Sequence, residues 1–369
     1  MRSSIESSSI ATRVSRTVIE KLTHGINPAS EEWGQKARQR LDTLTKPLGS
    51  LGRLEDIVTQ VAAIRGAHFT ESLSKAVYVF AADHGVTEEG VSAYPREVTR
   101  QMVLNFLGEG AAINVLARRH GAALQVVDMG VDADLNSISG LLHRKVRNGT
   151  RNMLREAAMS EEEVEKALSI GYQLGSEAAG AGHTMIAIGE MGIGNTTAAS
   201  AVTCAVTGAA ATIATGRGTG IEPIAYANKV RVVEAAIAKH CNASAALHPV
   251  EMLRCVGGLE IAAMAGMALA GARHNLVVVL DGFISTAAAA VAVGMAPNAR
   301  DYLIAGHCSA EPGHKILLDH LRLTPVLSLG MRLGEGTGAV LAMPVIESAI
   351  ALYYQMATFS SAGVSGATP

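Results

Sequence analysis

The chain has 369 residues, of which 49% are hydrophobic, 17% charged and only 4% aromatic, and its formal net charge is -2. This length supports a large hydrophobic core, in one big domain or in two smaller ones. The composition argues against a nucleic-acid partner, because there is no basic excess to neutralise phosphates and few aromatic rings to stack on bases.

The first seventy residues are helical by pattern and contain no clear strand. In the segment 51–66, LGRLEDIVTQVAAIRG, the apolar positions 54, 57, 58, 61 and 64 share one face of a helix. The final segment 339–356 is also helical by pattern. We expect the two chain ends, 1–70 and 340–369, to form a small helical domain, and residues 71–339 to form a large α/β domain that carries the active site. The Ser-rich first ten residues and the tail 360–369 are expected to fray.

Short apolar, β-branched runs alternate with longer helical stretches through the middle of the chain. The runs that predict strands are AVYVFA (76–81), LQVVDM (124–129), TMIAIG (184–189), LVVVLD (276–281), YLIAG (302–306) and TPVLSL (324–329). Helices are predicted over 96–121 and over 160–180, where Ser160 and Glu163 have the spacing of a capping box. This alternation predicts an α/β fold, a doubly wound parallel sheet of about six strands with right-handed crossovers.

The cysteines and the apolar segments indicate the cellular compartment in which we expect the protein. Four single cysteines without a C-x-x-C pair favour a reducing cytoplasm over a disulfide scaffold. The first thirty residues lack the apolar core of a secretory signal. The uncharged stretch 196–216 is rich in Ala, Thr and Gly rather than Leu, which predicts a buried helix and loop instead of a membrane span. We therefore expect a cytoplasmic protein with no membrane partner.

Glycine and polar residues follow all six predicted strands, at the sheet edge where ligands bind in folds of this kind. In GEMGIGNTT (189–197), Gly192 and Gly194 leave backbone amides bare, and Asn195, Thr196 and Thr197 can cap the next helix. A helix N-terminus of this kind is an anion site. The alternative is an ordinary Gly-rich turn with a Thr cap.

Two further stretches have a functional and an ordinary interpretation. TGRGTG (215–220) is a second candidate anion loop in which Arg217 offers a bidentate guanidinium, or else a flexible surface loop. Asp83 and His84 end the first strand, and His84 is equally well explained as a satisfied loop histidine. The histidines of the 307–314 segment show no known ligand spacing, so no metal is expected.

The stretch RLGEGTGAVLA (332–342) surrounds one carboxylate, Glu335, with glycines. It formally matches the G-x-G-x-x-A dinucleotide fingerprint. Only thirty residues remain after it, which leaves no room for the next strand, and a carboxylate inside the loop repels a pyrophosphate. Glu335 instead suits a general base, or an acceptor for an N–H donor.

Several stretches, in order over about 290 residues, closely resemble the nicotinate-nucleotide–dimethylbenzimidazole phosphoribosyltransferase family of the cobalamin lower-ligand pathway. They are TKPLGSLGRLE (45–55), FAADHGVTEEGVSAYPREVT (80–99), GEMGIGNTTAAS (189–200), TGRGTG (215–220), VGGLEIAAMAGM (256–267), VVLDGFISTAAA (278–289), GHCSAEPGH (306–314) and LGEGTGA (333–339). The resemblance implies a Rossmann-like six-stranded parallel sheet, a small domain built from both chain ends, and a homodimer. It implies phosphoribose transfer from nicotinate mononucleotide to a ring nitrogen of 5,6-dimethylbenzimidazole, with no cofactor, giving α-ribazole 5'-phosphate and nicotinate.

The resemblance also assigns the site residues. Glu335 is the implied general base, and Glu190 lies at the same site. The nucleotide and its phosphate are assigned to Gly192, Gly194, Asn195, Thr196, Gly216, Arg217, Gly218, Lys229, Asp281, Gly282 and Ser309. The benzimidazole pocket is assigned to Asp83, His84, Tyr94, Pro95, Met102 and Leu333. The identity of the physiological acceptor base stays open.

The chemistry of these substrates predicts a mechanism. The pyridinium of the donor leaves as neutral nicotinate, so the leaving group needs no general acid, while positive charge builds on the ribose. The azole attacks from the opposite face, which inverts C1', and its other nitrogen loses a proton to a carboxylate. We expect the dipole of the following helix to keep Glu335 ionised.

Two other classes of function are weighed against this one. A nicotinamide-dependent oxidoreductase needs a glycine fingerprint after the first strand, where this chain has the acidic AADHGVTEEGV (81–91). A non-catalytic binder or sensor of benzimidazole is disfavoured by the intact Glu335 and the intact anion loops.

Overall fold

The computed structural model describes residues 14–218, 220–241 and 247–365, and within them six strands form one sheet. The strands are β1 (Lys75–Ala82), β2 (Ala123–Gly130), β3 (Leu141–His143), β4 (Met185–Met191), β5 (Val277–Leu280) and β6 (Leu303–Ala305). Their order is β3-β2-β1-β4-β5-β6, and every neighbouring pair is parallel. The predicted doubly wound, Rossmann-like parallel sheet is confirmed. The strand order reverses between β1 and β4, which makes that crevice the expected ligand site.

Helices surround this sheet. They are α1 (Arg16–Thr23), α2 (Glu31–Thr43), α3 (Arg53–Arg65), α4 (Glu97–Leu107), α5 (Ala112–His120), α6 (Glu161–Gly180), α7 (Asn195–Thr207), α8 (Ala211–Ala214), α9 (Pro223–His240), α10 (Pro249–Val256), α11 (Leu259–Arg273), α12 (Phe283–Met295), α13 (Pro312–Leu321), α14 (Thr337–Gln355) and α15 (Phe359–Ala362). The capping box predicted at the start of α6 is confirmed, because Ser160 Oγ accepts from Glu163 N and the Glu163 carboxylate accepts from Ser160 N.

One predicted strand is wrong and one strand was missed. Residues 324–329 form no strand; Leu327 makes a single bridge to His307. Pro325 has no N–H to donate, so this segment follows β6 through only a few backbone hydrogen bonds. β3 has three residues, and only Leu141 among them is buried, so it lacks the apolar run that identified the other strands. The long helix predicted over 96–121 is divided by Gly108–Gly110 into α4 and α5.

Small residues allow the helices to pack closely, which explains a large core with few aromatic side chains. Helix α11 is buried along almost its whole length and lies against α6. A Cβ at Gly266 would come within 2.0 Å of the Leu168 carbonyl oxygen, and one at Gly171 within 1.7 Å of the Ala263 oxygen. The two backbones therefore touch at glycines, and the contact leaves no room for larger side chains.

The two ends of the chain contact each other. Leu44 pairs with Thr358 in an antiparallel bridge, and Arg40 donates hydrogen bonds to the carbonyl oxygens of Tyr353 and Tyr354. Helix α14 also packs directly on β4 and β5. The division into a small domain (1–70 with 340–369) and a large domain (71–339) stays a prediction. Of the segments predicted to fray, 1–10 and 360–369, residues 1–10 and 366–369 fall outside the described residues, and residues 360–362 belong to the short helix α15.

Two apolar segments, the stretch 196–216 and helix α14, were compared with the length and composition of a membrane-spanning helix. The stretch 196–216 contains all but the first residue of the helix α7, followed by a loop and the short α8, as predicted. In the described part of the chain, α14 alone is long and apolar enough to cross a membrane. Half of its apolar window is buried, and its buried side chains lie against the sheet.

Candidate active site

A cavity of about 230 Å³ opens at the carboxyl ends of the central strands. Ten of the predicted site residues line it: Tyr94, Glu190, Gly192, Asn195, Thr196, Gly218, Asp281, Gly282, Ser309 and Leu333. They come from the end of β4, from the segments that follow β4, β5 and β6, from the loop after α8, and from the loops before α4 and α14. The parallel sheet therefore brings together residues that are far apart in the chain.

Glu335 lies beside this cavity, at the start of α14. It has a positive φ of 65°, which is uncommon for a residue with a side chain, and it stands between Gly334 and Gly336, each with φ of 84°. Its side chain is buried, with 5% of the residue exposed. Among the described residues, its Oε2 atom has no hydrogen-bond partner. A strained backbone and an unpaired buried carboxyl oxygen are both typical of a functional site.

Asp281 fixes the start of α14. One carboxylate oxygen accepts from Gly338 N at 2.6 Å and Ala339 N at 3.1 Å, and the other accepts from Gly336 N at 3.0 Å. The helix begins at glycines and has no side-chain cap of its own, so the carboxylate at the end of β5 takes that role. Asp281 was predicted to bind the nucleotide. Through these three hydrogen bonds, its carboxylate holds the loop of Glu335 in position.

The start of α14 also lies directly on β4. A Cβ at Gly189 would come within 2.3 Å of Gly336 N, so only glycine permits this approach. Glu335 N donates to the carbonyl oxygen of Glu190 at 3.2 Å. The two candidate catalytic acids, Glu190 and Glu335, are thereby linked through their backbones.

Burial controls the protonation of these acids. Burial, and next the negative charge of Asp281, raise the pKa of Glu335 to about 7. Burial, followed by the charges of Asp281 and Glu260, raises the pKa of Glu190 well above its ordinary value. The prediction that the helix dipole keeps Glu335 ionised is wrong, because burial, and next the like charge of Asp281, disfavour the ionised form. Glu335 therefore titrates near neutral pH, where a general base is most effective.

The start of α7 forms a second side of the cavity. Gly194, with φ of 95°, precedes the first helical residue, and no side chain caps the helix. The predicted capping by Asn195, Thr196 and Thr197 is therefore wrong. The Asn195 amide donates instead to the Glu190 carboxyl, and Thr196 Oγ1 accepts from Lys229 Nζ at 2.8 Å.

Lys229 lies beneath the cavity wall. It is buried on α9, and a Cβ at Gly218 would come within 3.0 Å of its Nζ. Burial lowers the pKa of Lys229 to about 8, and the negative charge of Glu311 opposes that shift. The ammonium group therefore stays mostly protonated at neutral pH, behind Thr196 and Gly218.

Two residues of this wall, Glu311 and Arg332, were missed by the sequence analysis. Glu311 Oε1 accepts from Gly218 N at 2.9 Å, and Arg332 Nη1 donates to Gly218 O at 2.7 Å. Both residues lie in motifs already singled out, GHCSAEPGH and RLGEGTG, but their charges gave no sign that they hold the 215–218 loop.

Arg217, predicted to hold the phosphate, lines a neighbouring cavity of about 540 Å³ together with Gly216 and Arg332. It is not part of the central cavity wall. Gly194 lies behind that wall, since a Cβ on it would touch Thr87 and His84. Thr219 of the TGRGTG loop lies outside the described residues.

The predicted benzimidazole residues fall into two groups. Tyr94 and Leu333 line the cavity and are half exposed, at 54% and 55%. Asp83 and His84 are buried behind it; Asp83 accepts from Asp132 N, and His84 Nε2 lies 2.6 Å from Glu260 Oε1. Pro95 and Met102, like these two, do not line the cavity. The apolar part of the wall comes instead from residues that were not predicted: Met191, Ile193, Phe283 and Ile284.

The described residues contain no group of three or more His, Cys, Asp or Glu side chains that could hold a metal ion. The site thus offers two buried acids with raised pKa values, a buried ammonium group and an apolar wall.

Comparisons with known proteins identify the class and then the family. Residues 26–364 match a family model described as phosphoribosyltransferase, and with this fold and site the chain is a phosphoribosyltransferase. The chain is 50% identical over 349 residues to the nicotinate-nucleotide–dimethylbenzimidazole phosphoribosyltransferase of Geobacter sulfurreducens, covering 95% of this chain and 99% of that protein. It is 48% identical to the enzyme of the same name from Desulforudis audaxviator, covering 95% and 99% of the two chains.

A solved structure, CobT from Thermus thermophilus, is similar with a TM-score of 0.87 and 48% sequence identity. The similarity covers 91% of this chain and 100% of that one. The chain belongs to the nicotinate-nucleotide–dimethylbenzimidazole phosphoribosyltransferase family, and the resemblance seen in the sequence motifs is confirmed.

Proposed function

We propose that this chain transfers phosphoribose from nicotinate mononucleotide to 5,6-dimethylbenzimidazole, giving α-ribazole 5'-phosphate and nicotinate. The names of its relatives support both substrates. The observation that carries the mechanism is Glu335, whose buried Oε2 has no partner among the described residues and whose pKa is raised to about 7.

The phosphate of the donor binds at the α7 side of the cavity. Ser309 Oγ already accepts from Glu311 N, which leaves its hydroxyl hydrogen free to donate to a phosphate oxygen. Thr196 and Gly218 line the same side, and the Lys229 ammonium group behind them supplies positive charge. Hydroxyl donors and an ammonium group together suit a phosphate monoester.

Glu190 contributes a buried carboxyl group at this site. Burial, and next the charges of Asp281 and Glu260, raise its pKa well above the ordinary value, and this carboxyl group can form a hydrogen bond with a ribose hydroxyl. The Asn195 amide, which donates to Glu190, holds this carboxyl in place.

The benzimidazole lies against the apolar wall, with one ring nitrogen facing C1' of the ribose. Its attack breaks the bond from C1' to the pyridinium, and nicotinate leaves with that electron pair. Attack from the opposite face inverts the configuration at C1', and the charge that develops on the azole acidifies its second N–H. Ionised Glu335 accepts this proton, as a base with a pKa near the working pH does best.

Product analysis tests the reaction directly. Purified protein is incubated with nicotinate mononucleotide and a panel of benzimidazoles, and the products are identified by mass and by the configuration at C1'. An α-riboside phosphate and an equal amount of nicotinate support the proposal. Binding of both substrates without turnover supports a non-catalytic binder and rejects it.

We also propose that the protein forms a homodimer and that it is located in the cytoplasm. Two exposed apolar side chains that line the cavity, Tyr94 and Leu333, support a dimer that covers this region. Sedimentation equilibrium tests it: a single species with the monomer mass at micromolar concentration contradicts the dimer.

A further inference from the structure

His314 is completely buried on α13, with 0% of the residue exposed, and it does not line the active-site cavity. Both of its ring nitrogens nevertheless have hydrogen-bond partners. Ser309 N lies 2.8 Å from Nδ1, and Thr286 Oγ1 lies 3.0 Å from Nε2. A backbone N–H can only donate, so Nδ1 is the acceptor and the proton of the ring is on Nε2.

With this tautomer, a chain of hydrogen bonds runs from Ser309 through His314 and Thr286 to Gly282. Nε2–H donates to Thr286 Oγ1, whose own hydroxyl hydrogen is donated to the carbonyl oxygen of Gly282 at 2.7 Å. Ser309 follows β6, and Gly282 begins the first turn of α12 after β5. His314 therefore connects two loops that come from different strands.

Both connected segments form part of the cavity wall. Ser309 lines it, and so do the residues of the first turn of α12, from Gly282 to Ser285. The bond from His314 is made to the backbone of Ser309, which leaves the Ser309 hydroxyl free for a ligand. The ring thus sets the distance between the Ser309 hydroxyl and the α12 side of the cavity without touching a substrate.

The electrostatics agree with a fixed neutral ring. Burial, and next the neighbouring His307, lower the pKa of His314 to about 3. A charged imidazole would carry a hydrogen on Nδ1, which would oppose the Ser309 N–H. The chain of hydrogen bonds therefore persists over the whole neutral pH range.

We propose that His314 is a positioning residue for the phosphate end of the donor nucleotide, acting through the Ser309 backbone and the first turn of α12. This inference rests on the proposed function, because it takes Ser309 as a phosphate contact. It predicts that changes at His314 affect the donor much more than the acceptor azole or the chemical step.

Three variants test this role. His314→Ala removes both contacts. His314→Asn retains an acceptor, its amide oxygen, close to the position of Nδ1. Thr286→Val keeps the shape of a buried residue that does not line the cavity, but removes the oxygen between the ring and Gly282. His320→Ala, an exposed histidine on the same helix, is the matched control.

The measurements are the two KM values, kcat, the melting temperature and direct binding of nicotinate mononucleotide by calorimetry. We expect His314→Ala to raise the KM and the Kd for nicotinate mononucleotide about tenfold, with kcat and the benzimidazole KM changed less than about threefold. His314→Asn should recover most of that loss, and Thr286→Val should show a smaller rise in the same two constants. The control should match the wild type.

Other outcomes overturn the proposal. If both KM values and kcat deteriorate together in proportion to a fall in melting temperature, His314 is only a core residue. Unchanged donor binding in a folded His314→Ala protein rejects the role as well. If the wild type binds nicotinate mononucleotide but shows no turnover, the proposed function fails, while the comparison of Kd values still decides whether His314 positions the phosphate site.

Discussion

Among the helices that begin at the active-site cavity, α7 and α14 have N-termini that are built alike but used in opposite ways. Each starts after a glycine with positive φ, Gly194 at 95° and Gly336 at 84°, and neither has a side-chain cap. At α14 the buried carboxylate of Asp281 takes the amides, whereas at α7 no carboxylate of the described residues does so and Lys229 lies behind Thr196. The same local geometry therefore gives one start that holds the internal carboxylate of Asp281 and one, at α7, where we propose that the donor phosphate binds.

The difference decides the chemistry on each side. At α14, burial and next the negative charge of Asp281 raise the pKa of Glu335 to about 7. At α7 the positive charge of Lys229 adds to that of the helix. We therefore propose that the α14 end removes the azole proton and that the α7 end binds the donor phosphate.

The largest expected effect comes from the base at α14. Glu335→Gln keeps the shape of the side chain but cannot accept the azole proton. Turnover should fall about 10²–10⁴-fold, while the KM for nicotinate mononucleotide changes little. Steady-state kinetics with both substrates measures this, with Glu162→Gln, an exposed acid on α6, as the control. Near-normal turnover would remove Glu335 from the mechanism.

The second largest effect is expected from a change to the buried carboxylate of Asp281 at the start of α14. Asp281→Asn cannot accept from all three amides, and it removes the charge that raises the pKa of Glu335. We expect turnover to fall about tenfold to a hundredfold, because the loop that carries the base is displaced. The acid limb of the pH–rate profile should also move to lower pH. Asp319→Asn, exposed on α13, is the control; an unchanged acid limb would contradict the coupling.

The α7 side should respond in a different kinetic constant. Lys229→Ala removes the ammonium group behind Thr196, so the KM for nicotinate mononucleotide should rise about tenfold with a smaller change in kcat. Lys166→Ala, an exposed lysine on α6, should have no effect. A rise confined to the benzimidazole KM would place the phosphate elsewhere and remove the contrast between the two helices.

The smallest expected effect is on stability. The pKa of Glu335 is about 7 in the folded protein and 4.5 for an unperturbed glutamate. Between pH 4.5 and pH 7 the folded state therefore binds more protons than the unfolded state. Ionisation of Glu335 therefore lowers the free energy of unfolding. This decrease in stability is complete above pH 7 and absent below about pH 4.5. Glu335→Gln should raise the melting temperature by about 1–4 °C at pH 8 and by less at pH 5. A lower melting temperature at pH 8 would show that the charge stabilises the loop.

Much of the fold and part of the site could be predicted from local patterns. Buried parallel strands such as β1 and β4 are continuous apolar runs, and the capping box of α6 is a fixed spacing of two residues. The 324–329 run looked the same but pairs poorly, because Pro325 lacks a donor. The roles of Asp281, Glu311 and Arg332 were not predictable, because their partners lie 55 to 114 residues away in the chain.

The sequence by itself determined the parallel α/β architecture, the family, and the loops that meet at one edge of the sheet, because these depend on periodicity and on motifs within short segments. Tertiary structure alone decided which of two similar helix starts is free for an anion, and that Glu335 titrates near pH 7 instead of staying ionised. The physical reason is that a pKa depends on burial and on charges brought from distant segments, in this case on Asp281 at the end of β5.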